Sequence, residues 1–319
     1  MIADALAAAA DSPGYPLTTG ATATREAIRA WVVRRLGAAE GFDVLPTIGT
    51  KEFVAWLPTL LGLGPADRVV IPRLAYPTYD VGARLAGAQV VVADSLTAIG
   101  PARVSLLWLN SPSNPTGKVL PRDHLAKVVA WARERDVLVV SDECYFELPW
   151  TEQPVSVLDP DVCGGDPTGV IALHSLSKRS NLAGYRFGFA AGDPRVIAQL
   201  LEVRKHAGMM VPGPVQAAAI AALGDDAHVV AQRARYRARR DVLVAALTEA
   251  GLRIDESAAG LYLWATRGEP CWDTVGWLAD RGILVAPGEF YGRAGAQHVR
   301  IALTATDERV AAAGERLTA

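Results

Sequence analysis

Lys178 stands just past an apolar run, Val170-Ile171-Ala172-Leu173-His174, with Ser175 and Ser177 before it and Gly184, Arg186 and Gly188 after it. The run reads as a buried strand. An amine where a buried strand meets a loop is costly unless it is paired, neutral or covalently used. Lysine is otherwise sparse: Lys51, Lys118 and Lys127 precede Lys178, Lys205 follows it, and arginine supplies the remaining basic charge. Asp142 closes a second apolar run, Val137-Leu138-Val139-Val140-Ser141, and is followed by Tyr145. A carboxylate in that position needs a cationic partner or hydrogen bonds. Gly49-Thr50-Lys51 opens a helical pattern, and a helix N-terminus offers unpaired N–H groups to an anion, although ordinary capping also explains a Gly-Thr pair. Asn110-Ser111-Pro112-Ser113-Asn114-Pro115-Thr116-Gly117 is a rigid turn, set by two prolines and a glycine.

The elements that must position these residues alternate in type. Strand-like runs at Arg68–Pro72, Val90–Ala93, Val104–Leu109, Val137–Val140 and Val170–His174 are separated by helical patterns near Thr78–Ala86 and Arg122–Arg135. Further helical spacing covers Thr24–Leu36 and Phe53–Leu61, and a second β-like run covers Tyr185–Ala191. Apolar strands alternating with helices predict an α/β sheet buried on both faces, and such sheets bind ligands at the carboxyl ends of their strands. Helices are expected at Pro194–His206, Pro214–Leu223 and Ala227–Ala250, the last ending at Gly251, a good C-cap. Strands near Leu261–Ala265, Ile283–Ala286 and His298–Leu303, with helices near Trp272–Arg281 and Asp307–Arg316, complete a smaller α+β unit. The expected division is a large domain over residues 17–226 and a small one over 1–16 and 227–319.

The string Ser175-Leu176-Ser177-Lys178-Arg179-Ser180-Asn181-Leu182-Ala183-Gly184-Tyr185-Arg186-Phe187-Gly188 resembles the lysine loop of the fold-type I pyridoxal-phosphate aminotransferases, and most of all the N-succinyldiaminopimelate aminotransferase branch. The likeness runs from about Tyr15 to the C-terminus. It implies that Lys178 holds pyridoxal 5′-phosphate covalently, while Ser175, Arg186, Thr50 and Lys51 bind the phosphate. It further implies that Asp142 pairs with the ring nitrogen, Tyr76 stacks on the ring, and Asn114 and Tyr145 reach the phenolic oxygen. Tyr15 matches a tyrosine that touches the cofactor phosphate of the neighbouring subunit, so a homodimer is implied. Arg300, in Val299-Arg300-Ile301-Ala302-Leu303, matches the arginine that grips the substrate α-carboxylate, a task suited to a guanidinium's paired N–H bonds. The activity implied is transamination from L-glutamate to N-succinyl-LL-2-amino-6-oxopimelate, a step of diaminopimelate and lysine synthesis. Members of the family usually carry a further N-terminal arm; by that comparison the start lies upstream of Met1 or the chain lacks part of its lid.

With 319 residues, half of them apolar and a net charge of −2, the chain has ample core and no electrostatic reason to seek nucleic acid or anionic lipid. Three scattered cysteines make neither a zinc site nor a disulfide framework and suggest a reducing compartment. The alanine-rich start lacks a basic leader and is interrupted by Asp4, so a helix is expected there rather than a signal peptide. A cytoplasmic enzyme with small amino-acid and keto-acid substrates and no metal is the resulting expectation. The rivals are another amino-acid aminotransferase, a carbon–sulfur lyase on the same fold and a cofactor-binding remnant. More remote is an acyl-enzyme, since Ser175-x-x-Lys178 fits the Ser-x-x-Lys pattern, although the Lys-Thr-Gly partner of that pattern is absent.

Overall fold

In the computed structural model, which describes residues 1–101 and 103–318, the predicted alternation closes into one seven-stranded sheet. Its strands are β1 (Asp43–Thr47), β2 (Arg68–Ile71), β3 (Gln89–Val92), β4 (Leu106–Asn110), β5 (Leu138–Asp142), β6 (Val170–Ser175) and β7 (Gly188–Gly192). The spatial order is β1-β7-β6-β5-β4-β2-β3. Strands β2 to β6 run parallel, and β7 is antiparallel to both neighbours. Register brings Asn110 opposite Asp142 and Asp142 opposite Leu173, so the carboxyl ends of β4, β5 and β6 lie level.

Both faces of the sheet are covered. Val139, Ala172 and Phe189 pack with Ile28 and Trp31 on one side, and Val140, Leu173 and Ala190 pack with Phe53 and Leu57 on the other. This double burial explains why these strands read as unbroken apolar runs. The edge strand β1 contains Pro46, which lacks a ladder donor and is tolerated because β1 has a single neighbour. That proline hides β1 from a reading by pattern.

The second unit is a four-stranded antiparallel sheet in the order β10-β11-β9-β8, with β8 (Arg253–Asp255), β9 (Tyr262–Thr266), β10 (Ala286–Pro287) and β11 (Val299–Ala302). Leu263, Ala265, Val299 and Ile301 pack there with Tyr236 and Leu247 of the long helix Ala227–Glu249 and with Leu278 and Val310. The same apolar cluster takes in Tyr145, Leu148 and Trp150, so the segment after β5 ties the two sheets together. The initial helix, Ile2–Ala8, packs against the helix Gly213–Gly224.

Three local readings change. The expected strand Tyr185–Ala191 begins only at Gly188: Ala183–Tyr185 is a 3₁₀ turn and Arg186 is left-handed at φ 57°. The expected strand at Ile283–Ala286 shrinks to Ala286–Pro287, and β8 emerges at a stretch whose charged residues mask it.

Asp255, at the end of β8, accepts from Arg253 (2.7 and 3.0 Å) and sits 2.8 Å from His298 Nε2. Hydrogen bonding from Arg253, then from His298, outweighs desolvation and holds its carboxyl down to about 2. The unfolded value is about 3.9, so the folded pKa is depressed. The carboxylate therefore stabilises the fold above about pH 4, and that contribution is lost as pH falls toward 2. Asp255→Asn should accordingly flatten the acid limb of stability between about pH 4 and 2, measured by urea unfolding at each pH; an unchanged limb would contradict the assignment.

Candidate active site

A cleft of about 430 Å³ opens at the carboxyl ends of β4, β5 and β6. Thr50, Lys51, Tyr76, Asn114, Asp142, Tyr145, Ser175, Lys178, Arg186 and Arg300 all line it. Of the residues singled out from sequence, only Tyr15 lies outside its own chain's cleft; its side chain is 98% exposed.

Each side chain is placed by a local device. Ser175 ends β6 and its Oγ accepts from the Ser177 amide at 3.2 Å, capping the single turn Leu176–Arg179 that carries Lys178. That hydroxyl is thus a helix cap rather than a nucleophile aimed by a base. Lys178 Nζ lies 5.7 Å from the Tyr145 ring centroid and is in no ion pair with a carboxylate among the described residues. The turn is held from outside by the long helix: Tyr236 Oη donates to Asn181 Oδ1 at 2.5 Å, and His228 Nε2 meets Ser180 Oγ at 2.8 Å. Asn181, at φ 54°, depends on that bond for a backbone shape that side chains disfavour.

Asp142 is 6% exposed, and among the described residues its oxygens meet neutral donors alone. Tyr79 Oη donates to Oδ2 at 2.8 Å, and the Cys144 amide donates to Oδ1 at 3.2 Å. Burial first, then the Asp142 charge, pushes the Tyr79 phenol well above its usual range, so it stays a donor. Asn110 braces the same corner: its amide donates to the Asp142 carbonyl at 2.9 Å and its Oδ1 accepts from the Asn114 amide at 2.7 Å. Neither Tyr79 nor Asn110 stands out in sequence, since each reads as ordinary packing or turn chemistry.

Arg300 projects from β11 and donates to Asn114 Oδ1 at 2.9 Å. Its guanidinium sits 3.8 Å from the Tyr262 ring centroid and 4.8 Å from that of Tyr291. Its Nε is buried without a hydrogen-bond partner among the described residues, so a donor remains for an incoming acceptor. Tyr145 Oη donates to Tyr262 Oη at 3.1 Å; burial, then Tyr262, pushes the Tyr145 phenol well up. Ser177 of the lysine loop, and Phe290 and Tyr291 of the segment Pro287–Gly292 that resembles the family's active-site loop, also line the wall, and Tyr262, which nothing in the sequence singled out, joins them. Alternation along β9 and β11, with Arg300 opposite Trp264, is the signal that could have found Tyr262 as a neighbour of the site.

The helix Gly49–Leu60 points its first amides at the same cleft, and Arg186 closes that end. Arg186 Nη1 donates to the Ala183 carbonyl at 2.9 Å. Gly49 has φ +70°, and a Cβ there would lie 2.3 Å from Arg186 Nη2. The helix start, Arg186, Ser175 and Thr50 together form an anion cradle that only a glycine at position 49 leaves open. Gly49→Ala is expected to weaken phosphate-ester binding about tenfold or more while thermal unfolding shows the fold retained; isothermal titration with pyridoxal 5′-phosphate checks this.

At the opposite side, Gly117 (φ +73°) brings the Asn-Pro-Thr-Gly turn against the small unit. A Cβ there would come within 2.5 Å of the Ala259 carbonyl, and the Ala259 amide donates to the Gly117 carbonyl at 3.0 Å.

The family model for aminotransferases of class I and II matches residues 3–317. A probable aminotransferase of Mycobacterium tuberculosis is 66% identical over 320 residues, covering 100% of this chain and 77% of that protein. The 4-dedimethylamino-4-oxo-anhydrotetracycline transaminase of Streptomyces rimosus is 61% identical over 319 residues, covering 100% of this chain and 89% of that protein. Among solved structures, the probable N-succinyldiaminopimelate aminotransferase of Thermus thermophilus superposes with a TM-score of 0.87 at 29% identity, covering 99% of this chain and 90% of that one. The chemistry of the cleft agrees with the cofactor of such enzymes. Pyridoxal 5′-phosphate needs an amine, an anion cradle and a buried carboxylate without a cation of its own, and among the described residues Lys178, the Gly49–Arg186 end of the cleft and Asp142 are groups of those kinds.

Proposed function

We propose, from the premise that this chain belongs to the class I and II aminotransferases, that it transfers the amino group of L-glutamate to a keto or aldehyde acceptor. The chain is a pyridoxal 5′-phosphate-dependent enzyme, as its family is. The observation that carries the assignment of roles is the meeting, in one cleft, of the Lys178 amine, the cation-free Asp142 carboxylate and the half-satisfied Arg300 guanidinium.

The cofactor, when bound, supplies an electron sink for the carbon that loses its proton. Lys178 would anchor it covalently and would hold and move a proton at the substrate Cα. Asp142 holds a proton on the ring nitrogen, and Tyr79 and the Cys144 amide keep its oxygens in place. Arg186, Ser175, Thr50 and Lys51 bind the phosphate. Tyr76 packs on the ring, and Asn114 and Tyr145 orient its phenolic oxygen. Arg300 binds the substrate α-carboxylate through the N–H groups that Asn114 leaves free. Tyr15, exposed in its own chain, reaches the phosphate of a second copy in a homodimer. The large domain spans 17–226; the small one spans 227–319 and is grouped with 1–16, although Ile2–Ala8 touches Gly213–Gly224.

For the acceptor we take N-succinyl-LL-2-amino-6-oxopimelate, which places the enzyme in diaminopimelate and lysine synthesis. The lysine-loop likeness and the Thermus thermophilus structure support this reading. A second reading is the ketone of a 4-oxo-anhydrotetracycline, favoured by the 61% identity to the Streptomyces rimosus transaminase over the whole chain. No helix among the described residues is long and apolar enough to cross a membrane. Cys144, Cys163 and Cys271 are unpaired and buried, as a reducing cytoplasm would keep them.

Mixing holoenzyme with L-glutamate should shift the cofactor's visible band and release one equivalent of 2-oxoglutarate. Adding each acceptor in turn should restore the band at a rate that ranks the two. A folded, loaded enzyme whose band ignores glutamate would refute transamination with this donor.

A further inference from the structure

Arg179, Ser180 and Asn181 follow Lys178 directly, and each of them docks beneath the cleft. Ser180 meets His228 and Asn181 accepts from Tyr236, both on the long helix Ala227–Glu249. Arg179 holds on two sides. Its Nη1 donates to the Ala222 carbonyl at 2.6 Å, in the last turn of the helix Gly213–Gly224. Its Nη2 donates to the Asp225 carbonyl at 3.2 Å and to Asp226 Oδ1 at 2.5 Å. On the other side Nε meets the Glu147 carboxylate as an ion pair, in charge contact without the alignment of a hydrogen bond.

Arg179 and Glu147 are both buried. Glu147 lies five residues past Asp142 and two past Tyr145, and its other oxygen is held by Arg35 Nε at 2.8 Å. The pair therefore joins the turn that carries the amine to the segment that carries the carboxylate. Lys178 needs such a brace. Its turn, Leu176–Arg179, is four residues long with Ser175 as its cap, and a single turn does not hold its own direction. A buried ion pair also gains little net stability over apolar side chains of similar volume, so register is what this one supplies.

We propose that Arg179 is a positioning residue that aims Lys178 at the substrate Cα by clamping its turn between Glu147 and the Ala222–Asp226 corner. Arg179 does not line the cleft, so its influence on the reaction passes through the turn. The inference rests on the role given to Lys178 above.

Arg179→Lys is the test. It keeps a positive charge beside Glu147, but one ammonium cannot span what the planar fork reaches. In the holoenzyme kcat should fall about tenfold to a hundredfold, the cost of misplacing a reacting group by about 1 Å. KM for L-glutamate should stay within about twofold, since Arg300 still binds the carboxylate. The pH midpoint of the visible band, read without turnover, should move by about half a unit or more, because the Lys178 nitrogen sits in changed surroundings. In Lys178→Ala with ethylamine added as a mobile amine, Arg179→Lys should cost less than about twofold, because the group that it aims is gone.

Borohydride labelling of the parent comes first, and a label elsewhere than on Lys178 would remove the role of Lys178 and this inference with it. With the label on Lys178, four results would each overturn the inference alone: unchanged kcat, a loss carried by KM, an unmoved band midpoint, or an equal loss in the Lys178→Ala background. If Arg179→Lys does not fold, Glu147→Gln, which leaves Arg179 its Asp226 partner, decides by the same measures, with an expected loss of about threefold or more in kcat.

Discussion

Lys178→Ala is expected to lower kcat for amino transfer by at least about 10³-fold and to remove the visible band of the holoenzyme. Two roles are lost together. The covalent anchor disappears, and so does the group that moves a proton at the substrate Cα, a contribution of about 10²- to 10⁴-fold by itself. The fold should not change measurably. Lys178 sits on a turn capped by Ser175 and has no carboxylate partner among the described residues, so alanine leaves no buried charge behind. Urea unfolding should therefore agree with the parent within about 0.5 kcal/mol. Borohydride reduction of the parent followed by peptide mapping should find the label on Lys178. A label elsewhere, or a coloured and active Lys178→Ala protein, would remove the basis of the mechanism.

Asp142→Asn is the second large effect. Asparagine keeps the shape: its single oxygen can accept from the Cys144 amide while its NH₂ donates to a Tyr79 hydroxyl that turns to accept, so the corner braced by Asn110 stays intact. What goes is the negative charge that holds a proton on the ring nitrogen. Removing one member of a buried charge pair costs about 3–5 kcal/mol, which corresponds to roughly 10²- to 10³-fold or more in kcat. The same substitution should raise the dissociation constant of the cofactor without lowering the unfolding midpoint of the apoenzyme. Reduced activity together with a collapsed apoenzyme would instead mark Asp142 as a structural residue. Tyr79→Phe provides a milder comparison. It removes one hydrogen bond to the carboxylate, a change of about 1.5–3 kcal/mol for a charged acceptor.

Much of the site was legible along the chain because its pieces fall at strand ends, where punctuation is strong. Asp142 ends an apolar strand, and Lys178 and Asn114 come three and four residues past one; a polar group in such a place stands out by its desolvation cost. The helix start at Gly49 was a weaker signal, since ordinary capping also explains a Gly-Thr pair. Other positions were silent. Tyr79 occupies a helix face where a tyrosine normally packs, and its value lies in a hydroxyl that reaches Asp142 on a strand 63 residues later. Nothing along the chain singled out Tyr262, and only the fold of the small sheet stacks it, with Tyr291, around Arg300. Strand β1 escaped because Pro46 argues against a strand unless the strand is an edge, and edge position is a property of the assembled sheet.

The amino-acid order alone determined the alternation of strand and helix, the residues at each carboxyl end, and the family likeness of the lysine loop, since hydrophobic period and turn chemistry are local. Tertiary structure decided the rest. It set the order β1-β7-β6-β5-β4-β2-β3 and brought Arg300 to 2.9 Å from Asn114 across 186 residues. It left Asp142 without a cation of its own among the described residues and opened a second cavity where β2 and β4 part. Those features depend on which distant surfaces bury one another, and no local pattern encodes the distance between two strands that meet only after the sheet has closed.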